Sequence, residues 1–268
     1  MSTEPPLSAG IDPNRPSAAR IYDSFLGGTH NFAADRAVAQ RALELVPELP
    51  KIMRANRAFL RRAVRFAADA GIRQFLDLGS GIPTEGNVHE VAADILPDAR
   101  VVYVDLEPTA VLHARDILAG VPRTVAVRGD LQHPSAILDD PQLREILDFD
   151  EPICVLMIAV LHFVPSSPAL TAALRRYRDQ VAPGSYLVVS HATGSAHPDA
   201  LARIAELYNR TGTPLVLRDT DGLAAVFDGW DLLDPGIVYG PRWHPDPADP
   251  EVDDPAAYIT LAGVAVKS

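Results

Sequence analysis

The sequence predicts an α/β fold built on a mostly parallel sheet with helices on both faces. From residue 74 onward, short apolar runs typical of buried strands alternate with longer segments in which apolar residues recur at helical spacing. Such alternation indicates βαβ units, whose crossovers are right-handed. The first run ends at a pair of glycines and the second at a carboxylate. In open α/β sheets, ligands bind at the edge formed by the carboxyl ends of the strands.

Seven apolar runs are the predicted strands of this sheet. They cover residues 74–78, 100–105, 124–128, 152–158, 186–191, 230–238 and 258–266. Helices are predicted over residues 88–96, 109–118, 141–147, 169–181, 200–208 and 220–227. Only a proline-rich loop joins the last two strands, so we expect them to form an antiparallel hairpin at an edge of the sheet.

The chain before the first strand divides into two predicted segments. Residues 1–16 contain four prolines and little periodicity, so they are predicted to form a flexible tail. Residues 17–70 have a helical pattern that is broken near Gly27-Gly28 and again near Pro47. We expect this segment to form a helical cap. The core is predicted to consist of residues 71–268.

The glycine loop after the first strand indicates a nucleoside-containing ligand. The segment Phe75-Leu-Asp-Leu-Gly-Ser-Gly81 is predicted to end a strand in a turn, with a helix starting near Pro83 or Thr84. Glycine lets a ligand approach the backbone closely, although both glycines could instead serve only helix–strand packing. Asp105, which ends the next strand, would face the hydroxyls of a ribose.

Two phosphate-binding motifs are absent from this loop. Dinucleotide-binding proteins carry a third glycine where this sequence has Thr84. A P-loop would require Gly-Lys-Ser/Thr after Gly81, and that motif does not occur. The acidic Asp77 also suits a cationic ligand better than a pyrophosphate.

What remains, Asp77-Leu-Gly79-Ser-Gly81, resembles the first motif of class I S-adenosylmethionine (SAM) methyltransferases. Later segments that fit the same family are Val104-Asp-Leu-Glu-Pro108, Arg128-Gly-Asp130-Leu131 and Ala159-Val-Leu-His-Phe-Val164. Upstream, Ala19-Arg-Ile-Tyr-Asp-Ser-Phe-Leu-Gly-Gly-Thr-His-Asn-Phe-Ala-Ala-Asp-Arg36 is similar to the signature of a family of SAM methyltransferases without assigned substrates. The resemblance implies a seven-stranded, doubly wound Rossmann-like sheet with an N-terminal helical cap.

The resemblance also implies which residues bind SAM. Asp105 would accept hydrogen bonds from the ribose, and Glu107 could share or replace that role. Asp130 would bind the adenine amino group while Leu131 packs on the ring. Asp130 is equally compatible with a purely structural role, because Asp is common in turns. The full set of expected cofactor contacts in the core is Asp77, Gly79, Ser80, Gly81, Asp105, Leu106, Glu107, Asp130 and Leu131.

Tyr22, Gly28, His30 and Asn31 add a candidate set upstream of the core. One interpretation is a glycine corner between two packed helices, with Tyr22 in the interface. The other is a lid over the cofactor, which the density of polar groups around Gly27 and Gly28 favours. We therefore expect these four residues to contribute to the cofactor site.

His162 follows the fourth predicted strand, at the edge of the sheet where ligands bind. A histidine of near-neutral pKa could deprotonate an acceptor hydroxyl or amine, which makes it the candidate catalytic base. The alternative is that His162 only lines the pocket, and the same caution applies to His191.

Composition and motif spacing argue against several other classes of protein. A net charge of −11 disfavours nucleic-acid binding. The histidines and the single cysteine, Cys154, have no zinc-site spacing, so no metal is expected. We find neither a secretory signal nor an apolar segment long enough to span a membrane, so the expected location is cytoplasmic. The oligomeric state stays open.

The predicted function is SAM-dependent methyl transfer, by in-line displacement, to a small-molecule acceptor of unknown identity. Two alternatives remain open from the sequence. One is a SAM-binding or regulatory protein without turnover, because the motifs indicate cofactor binding and not transfer. The other is a nicotinamide-dependent oxidoreductase, against which Thr84 stands in place of the third glycine.

Overall fold

A computed structural model describes residues 11–83, 86–247, 249, 252 and 254–268. Most of the predicted flexible tail, residues 1–10, lies outside these ranges, and residues 11–16 form neither helix nor strand. Thr84, the residue in place of the third glycine, also lies outside them.

The central sheet is mixed and mostly parallel. Its strands are β1 (Gln74–Leu78), β2 (Arg100–Asp105), β3 (Thr124–Arg128), β4 (Cys154–Ile158), β5 (Tyr186–Ala192), β6 (Asp231–Leu232), β7 (Val238–Tyr239) and β8 (Thr260–Val266). They are ordered β3-β2-β1-β4-β5-β8-β6, and β7 also pairs with β8. Strands β1 to β5 are parallel, whereas β8 runs antiparallel to β5, β6 and β7. The predicted antiparallel portion at one end of a parallel sheet is therefore confirmed.

The strand count differs from the prediction, because the expected strand over residues 230–238 is two short strands and the sheet has eight. Pro235 has no N–H to donate to a neighbouring strand, and Gly236 has a φ of 81°. These two residues interrupt the strand, and β6 and β7 pair with different parts of β8.

Ten α-helices complete the described chain. They are α1 (Ala18–Phe25), α2 (Ala33–Leu45), α3 (Leu49–Asp69), α4 (Val88–Ala93), α5 (Pro108–Ile117), α6 (Pro134–Leu138), α7 (Pro141–Ile146), α8 (Pro168–Gln180), α9 (Pro198–Arg210) and α10 (Thr220–Ala224). The helix expected to start near Pro83 begins instead at Val88, because Asn87 and Glu90 form its N-terminal cap: the backbone N–H of Asn87 donates to Glu90 Oε2 at 2.7 Å.

Alternate residues of the parallel strands face two separate hydrophobic clusters. Phe75 and Tyr103 pack against α3, α4 and α5 on one face, and Leu76 and Val102 pack against α6, α7 and α8 on the other. Because the strands are buried on both faces, they are continuous apolar runs in the sequence. The doubly wound arrangement follows from this packing.

A third hydrophobic cluster joins α1, α2 and α9 to the beginning of α3. Leu49 and Ile52 belong to this cluster, whereas residues 59–68 of the same helix pack against the sheet. Helix α3 therefore packs against the cap at its beginning and against the sheet along the rest of its length.

Two further features of the described residues bear on the sequence predictions. No helix among them combines the length and the apolar composition needed to cross a membrane. Cys154 is fully buried in β4, where burial raises the pKa of its thiol, and it packs with apolar neighbours.

Candidate functional site

The loop after β1 is shaped by two glycines with different surroundings. Gly79 has a φ of 77°, and a Cβ at this position would lie 2.2 Å from Cγ2 of Val160. Packing alone therefore requires a glycine there. Gly81 has a φ of 67°, but the space that its Cβ would occupy is open. Gly81 therefore has room for a ligand beside it.

Asp105 connects this loop to the end of β2. Its Oδ2 accepts a hydrogen bond from the backbone N–H of Gly81 at 2.7 Å, and its Oδ1 accepts from the N–H of Glu107 at 2.8 Å. Gly79 and Ser80 in turn donate to the carbonyl oxygen of Val104. A carboxylate offers about four lone-pair positions, so Asp105 retains acceptor capacity.

Two carboxyl groups at this edge have raised pKa values. Burial raises the pKa of Asp105 to about 6, although the N–H donors of Glu107 and Gly81 oppose the shift. Burial raises the pKa of Asp77 to about 7; the Arg57 guanidinium opposes this shift and the charge of Asp105 adds to it. Perturbed titratable groups of this kind are concentrated at functional sites.

Arg20 connects the cap to the core and was not identified from the sequence. Its buried guanidinium donates from Nε to Asp35 Oδ2 and from Nη1 to Glu107 Oε1, each at 2.8 Å. Glu107 Oε1 also accepts from the hydroxyl of Thr109 at 3.0 Å. Glu107 therefore anchors the cap beside Asp105, and one of its oxygens is committed to that role.

The Gly27-Gly28 corner is organised around the buried carboxylate of Asp23. Asp23 Oδ2 accepts from the backbone N–H of His30 at 2.9 Å and from Asn31 Nδ2 at 2.8 Å. A Cβ on Gly28 would lie 2.0 Å from Asp23 Oδ1, so the carboxylate occupies the space of a side chain. This contact explains the second glycine of the pair.

The four upstream candidates separate into two groups. Tyr22 is half-buried, and its hydroxyl donates to the carbonyl of Met53 at 3.3 Å and accepts from Asn56 Nδ2 at 3.1 Å. The amide of Asn31 is likewise committed within the cap, to Asp23 and Gly28. Gly28 and His30, by contrast, line a cavity.

This cavity of about 750 Å³ lies between the cap, α3 and the loop after β1. Its volume is within the roughly 300–1,000 Å³ of small-molecule sites. The lining residues are Asp23, Leu26, Gly27, Gly28, Thr29, His30, Arg54, Arg57, Arg61, Pro83 and Gly86. Arg57 connects the cavity to the strand edge, because its Nη2 donates to the carbonyl of Gly86 at 3.1 Å and its charge influences the pKa of Asp77.

The two candidates after β3 have contrasting surroundings. Asp130 is partly exposed, and its carboxylate accepts from the N–H of Gln132 at 2.9 Å, as expected of a turn residue. Leu131 is buried in the cluster beneath the sheet. Leu106, next to Asp105, is an apolar side chain that is 58% exposed.

His162 is buried between a backbone donor and two aromatic rings. Its Nδ1 accepts from the N–H of Ala192 at 3.3 Å, and its ring packs edge-on against Phe163 and His191. Burial, together with the nearby His191 and Arg218, lowers the pKa of His162 well below its usual range. The imidazole is therefore neutral near pH 7, with one nitrogen committed to the backbone.

Sequence reasoning missed the functional interest of Arg57 and Asn56. Asn56 accepts from the Ser190 hydroxyl at 2.6 Å, so it links β5 to Tyr22 in the cap. In the sequence, both residues belong to a basic stretch that is most simply interpreted as the solvated face of a helix. The spacing of Arg54, Arg57 and Arg61 was the one available signal, because residues three and four apart share a helix face.

No group of three or more histidine, cysteine or acidic residues suited to a metal occurs within the described ranges. The candidate site comprises the glycine loop, the carboxyl groups of Asp77 in β1 and Asp105 at the end of β2, and an adjoining cavity lined in part by arginines.

The sequence matches the S-adenosyl methyltransferase family over residues 5–268. The chain belongs to this family. Its solved relatives include a protein of Thermobifida fusca YX whose assignment as a methyltransferase is itself only proposed, with 39% identity, 97% of each chain covered and a TM-score of 0.89. Another is a DUF574 family protein from Streptomyces avermitilis MA-4680, with 38% identity, 96% of this chain and 99% of that chain covered, and a TM-score of 0.92. A search of curated proteins gave no match.

Proposed function

We propose that this methyltransferase binds SAM at the carboxyl edge of β1 and β2 and methylates a small-molecule acceptor. The observation that carries the proposal is the pairing of Asp105 with the N–H of Gly81, beside the open face of Gly81. A carboxylate held at this point, with acceptor capacity left over, is suited to two neighbouring hydroxyls of a ribose.

The residues around Asp105 suit the adenosine portion of SAM. Leu106 offers an exposed apolar side chain that an adenine ring would cover. Asp130 is partly exposed at the end of the next strand, where it can accept from the adenine amino group. Glu107 holds the cap in this proposal, which leaves the ribose to Asp105.

The amino-acid portion of SAM would lie between Asp77 and Arg57. Arg57 Nε is buried without a hydrogen-bond partner among the described residues, and a carboxylate is the ligand that guanidinium groups bind best. The buried carboxyl group of Asp77 would ionise next to the cofactor's ammonium group. The carboxylate of SAM would thus lie beside Arg57, and its ammonium group beside Asp77.

When bound, SAM would supply an electrophilic methyl group to the acceptor's lone pair, S-adenosylhomocysteine would leave with the carbon–sulfur electron pair, and the acceptor's proton would pass to a base or to solvent. The protein's contribution is to orient the acceptor and to exclude water. His162 stays the candidate base, although its Nδ1 already accepts from Ala192. Among the described residues that line the cavity, only Asp23 and His30 could accept a proton, and His162 is not part of this lining.

A thermal scan tests cofactor binding. At about 100 times its Kd, S-adenosylhomocysteine adds roughly 2.7 kcal/mol of stability, which raises the melting temperature by roughly 5–10 °C for a chain of this size. NAD should have no effect. A shift with NAD alone would identify the oxidoreductase alternative, and no shift with either SAM or its product would remove the proposal.

Methyl transfer needs its own measurement, because binding and turnover are separable. Transfer of labelled methyl groups from SAM to a fractionated metabolite extract should label at least one small molecule. Binding without any labelled product would indicate a SAM-binding regulator instead.

The cap is proposed to act as a lid over the cofactor, since Gly28 and His30 line the cavity next to the glycine loop. Hydrogen exchange with and without S-adenosylhomocysteine should show increased protection over residues 20–31 as well as around Gly79 and Asp105. Protection confined to the strand edge would make the cap purely structural.

A further inference from the structure

Three arginines of α3 face the cavity from successive turns. Arg54, Arg57 and Arg61 are spaced three and four residues apart, which places their side chains on one face of the helix. The Cδ of Arg61 lies 3.0 Å from the position that a Cβ on Gly86 would occupy. The aliphatic part of the Arg61 side chain therefore packs against Gly86 at the cavity wall.

None of these three guanidinium groups has a carboxylate within 4.0 Å in the part of the chain that the structure describes. Other arginines of α3 are paired: Arg62 binds Asp249, and Arg65 lies 3.5 Å from Asp246. In a chain with a net charge of −11, three cations in one cavity that lack a carboxylate partner among the described residues favour an anionic ligand.

The cofactor accounts for only one of the three. SAM has a single carboxylate, and Arg57 is the arginine linked to the strand edge through Gly86 and Asp77. Arg54 and Arg61, which flank Arg57 on the helix, are left without a role in holding SAM. Among the described lining residues the one carboxylate is that of Asp23, whose Oδ2 accepts from His30 and Asn31.

We propose that the methyl acceptor is a small molecule with an anionic group, a carboxylate or a phosphate, that Arg54 and Arg61 bind. This inference rests on the proposed function, since it takes Arg57 to be occupied by the cofactor. The cavity, at about 750 Å³, has room for the acceptor beside the methionine end of SAM. Guanidinium groups bind carboxylates and phosphates through paired N–H donors, which would fix the acceptor's orientation as well as its charge.

The test measures binding and does not depend on turnover. Benzoate and inorganic phosphate are titrated separately, at constant ionic strength, into protein saturated with S-adenosylhomocysteine. The double variant Arg54→Gln/Arg61→Gln should bind the better of the two probes about tenfold more weakly than the wild type. Its affinity for S-adenosylhomocysteine should stay within about twofold, since these arginines do not hold the cofactor.

Arg65→Gln is the matched control, because Arg65 lies on the same helix but is paired with Asp246 and does not line the cavity. It removes one positive charge from α3 without touching the cavity lining, and it should leave the binding of both probes unchanged. The Arg54→Lys/Arg61→Lys variant keeps both charges and should recover part of the affinity. The probe that binds more tightly distinguishes a carboxylate acceptor from a phosphate acceptor.

The outcomes separate this inference from the proposed function. Failure of the wild type to bind S-adenosylhomocysteine removes the proposed function. Normal binding of that ligand, with equal probe binding by the wild type and the Gln double variant, overturns the anionic acceptor alone. A large loss of S-adenosylhomocysteine affinity in the double variant would assign Arg54 and Arg61 to the cofactor and also overturn it. Tighter, arginine-dependent binding of a DNA or RNA oligonucleotide would replace the small molecule by a nucleic acid.

Discussion

The strand edge and the N-terminal cap meet beside Asp105, but they are held together by different interactions. At the strand edge, backbone N–H groups of Gly81 and Glu107 donate to one carboxylate, and the loop itself is bonded to β2. In the cap, the long-range connections run through charged side chains, above all Arg20 with Asp35 and Glu107. The backbone bonds from Gly79 and Ser80 to Val104 depend on no side chain, whereas an ion pair is lost with one side chain.

The difference indicates how the two regions respond to change. A substitution in the cap should reduce stability through an unpaired buried charge and leave the sheet unaltered. A substitution at the strand edge should act on the ligand more than on the fold. The following predictions test this division, in order of decreasing effect.

Arg20→Met should have the largest effect. Arg20 is 2% exposed and Asp35 is fully buried, so removing the guanidinium leaves a buried carboxylate without its cationic partner. We expect a loss of about 3–5 kcal/mol in the free energy of unfolding, measured by urea denaturation. If the loss is below about 1 kcal/mol, the cap is held by its hydrophobic cluster and the comparison fails.

Asp105→Ala should weaken S-adenosylhomocysteine binding with little effect on folding. Each lost hydrogen bond to a charged acceptor costs roughly 1.5–3 kcal/mol, which corresponds to about a tenfold to hundredfold increase in Kd by calorimetry. Glu107→Gln is the companion variant, because Glu107 is assigned to the cap. If the Kd is unchanged in Asp105→Ala but raised in Glu107→Gln, Glu107 and not Asp105 binds the ribose.

Asp77→Asn should alter how stability depends on pH in the protein without ligand. The pKa of Asp77 is raised from 3.8 to about 7 by burial, so between these values the folded chain binds a proton that the unfolded chain has released. Wild-type stability from this group is therefore full below about pH 4 and falls as the pH rises towards 7, by up to about 1.4 kcal/mol per pH unit.

The asparagine variant does not titrate and should lack this slope. Urea denaturation at intervals from pH 4.5 to 7.5 should therefore show the variant gaining stability relative to the wild type. Parallel curves for the two proteins would mean that Asp77 ionises in the folded state as easily as in the unfolded one.

Arg73→Met should have the smallest effect. Arg73 and Asp98 form an ion pair in which both side chains are more than half exposed, and Nη1 lies 2.5 Å from Oδ1. Pairs of this kind contribute about 0.2–1 kcal/mol. This variant is the matched control for Arg20→Met; a loss comparable to that of Arg20→Met would show that burial does not decide the strength of these pairs.

The positions of the first strands could be predicted from the sequence because their physical cause is local. The predicted and observed bounds agree for β1, β2 and β3, which are continuous apolar runs ended by glycine or a carboxylate. The same local pattern failed over residues 230–238, where apolar residues lie on both sides of Pro235 and Gly236 but the strand does not continue through them. Pro235 and Gly236 are the local signal of the interruption, which the apolar pattern alone does not contain.

The sequence by itself determined the alternation of strands and helices, the glycine loop after β1 and the carboxylate at the end of β2. Those features depend on residues within one element or one turn. Only the tertiary structure decided that Arg20 binds Glu107, 87 residues away, and that Arg57 meets the loop at Gly86. It also decided that Tyr22 and Asn31 direct their polar atoms inward while Gly28 and His30 line the cavity. Side-chain partners across such separations depend on how helices pack on the sheet, and no local pattern in the chain encodes that packing.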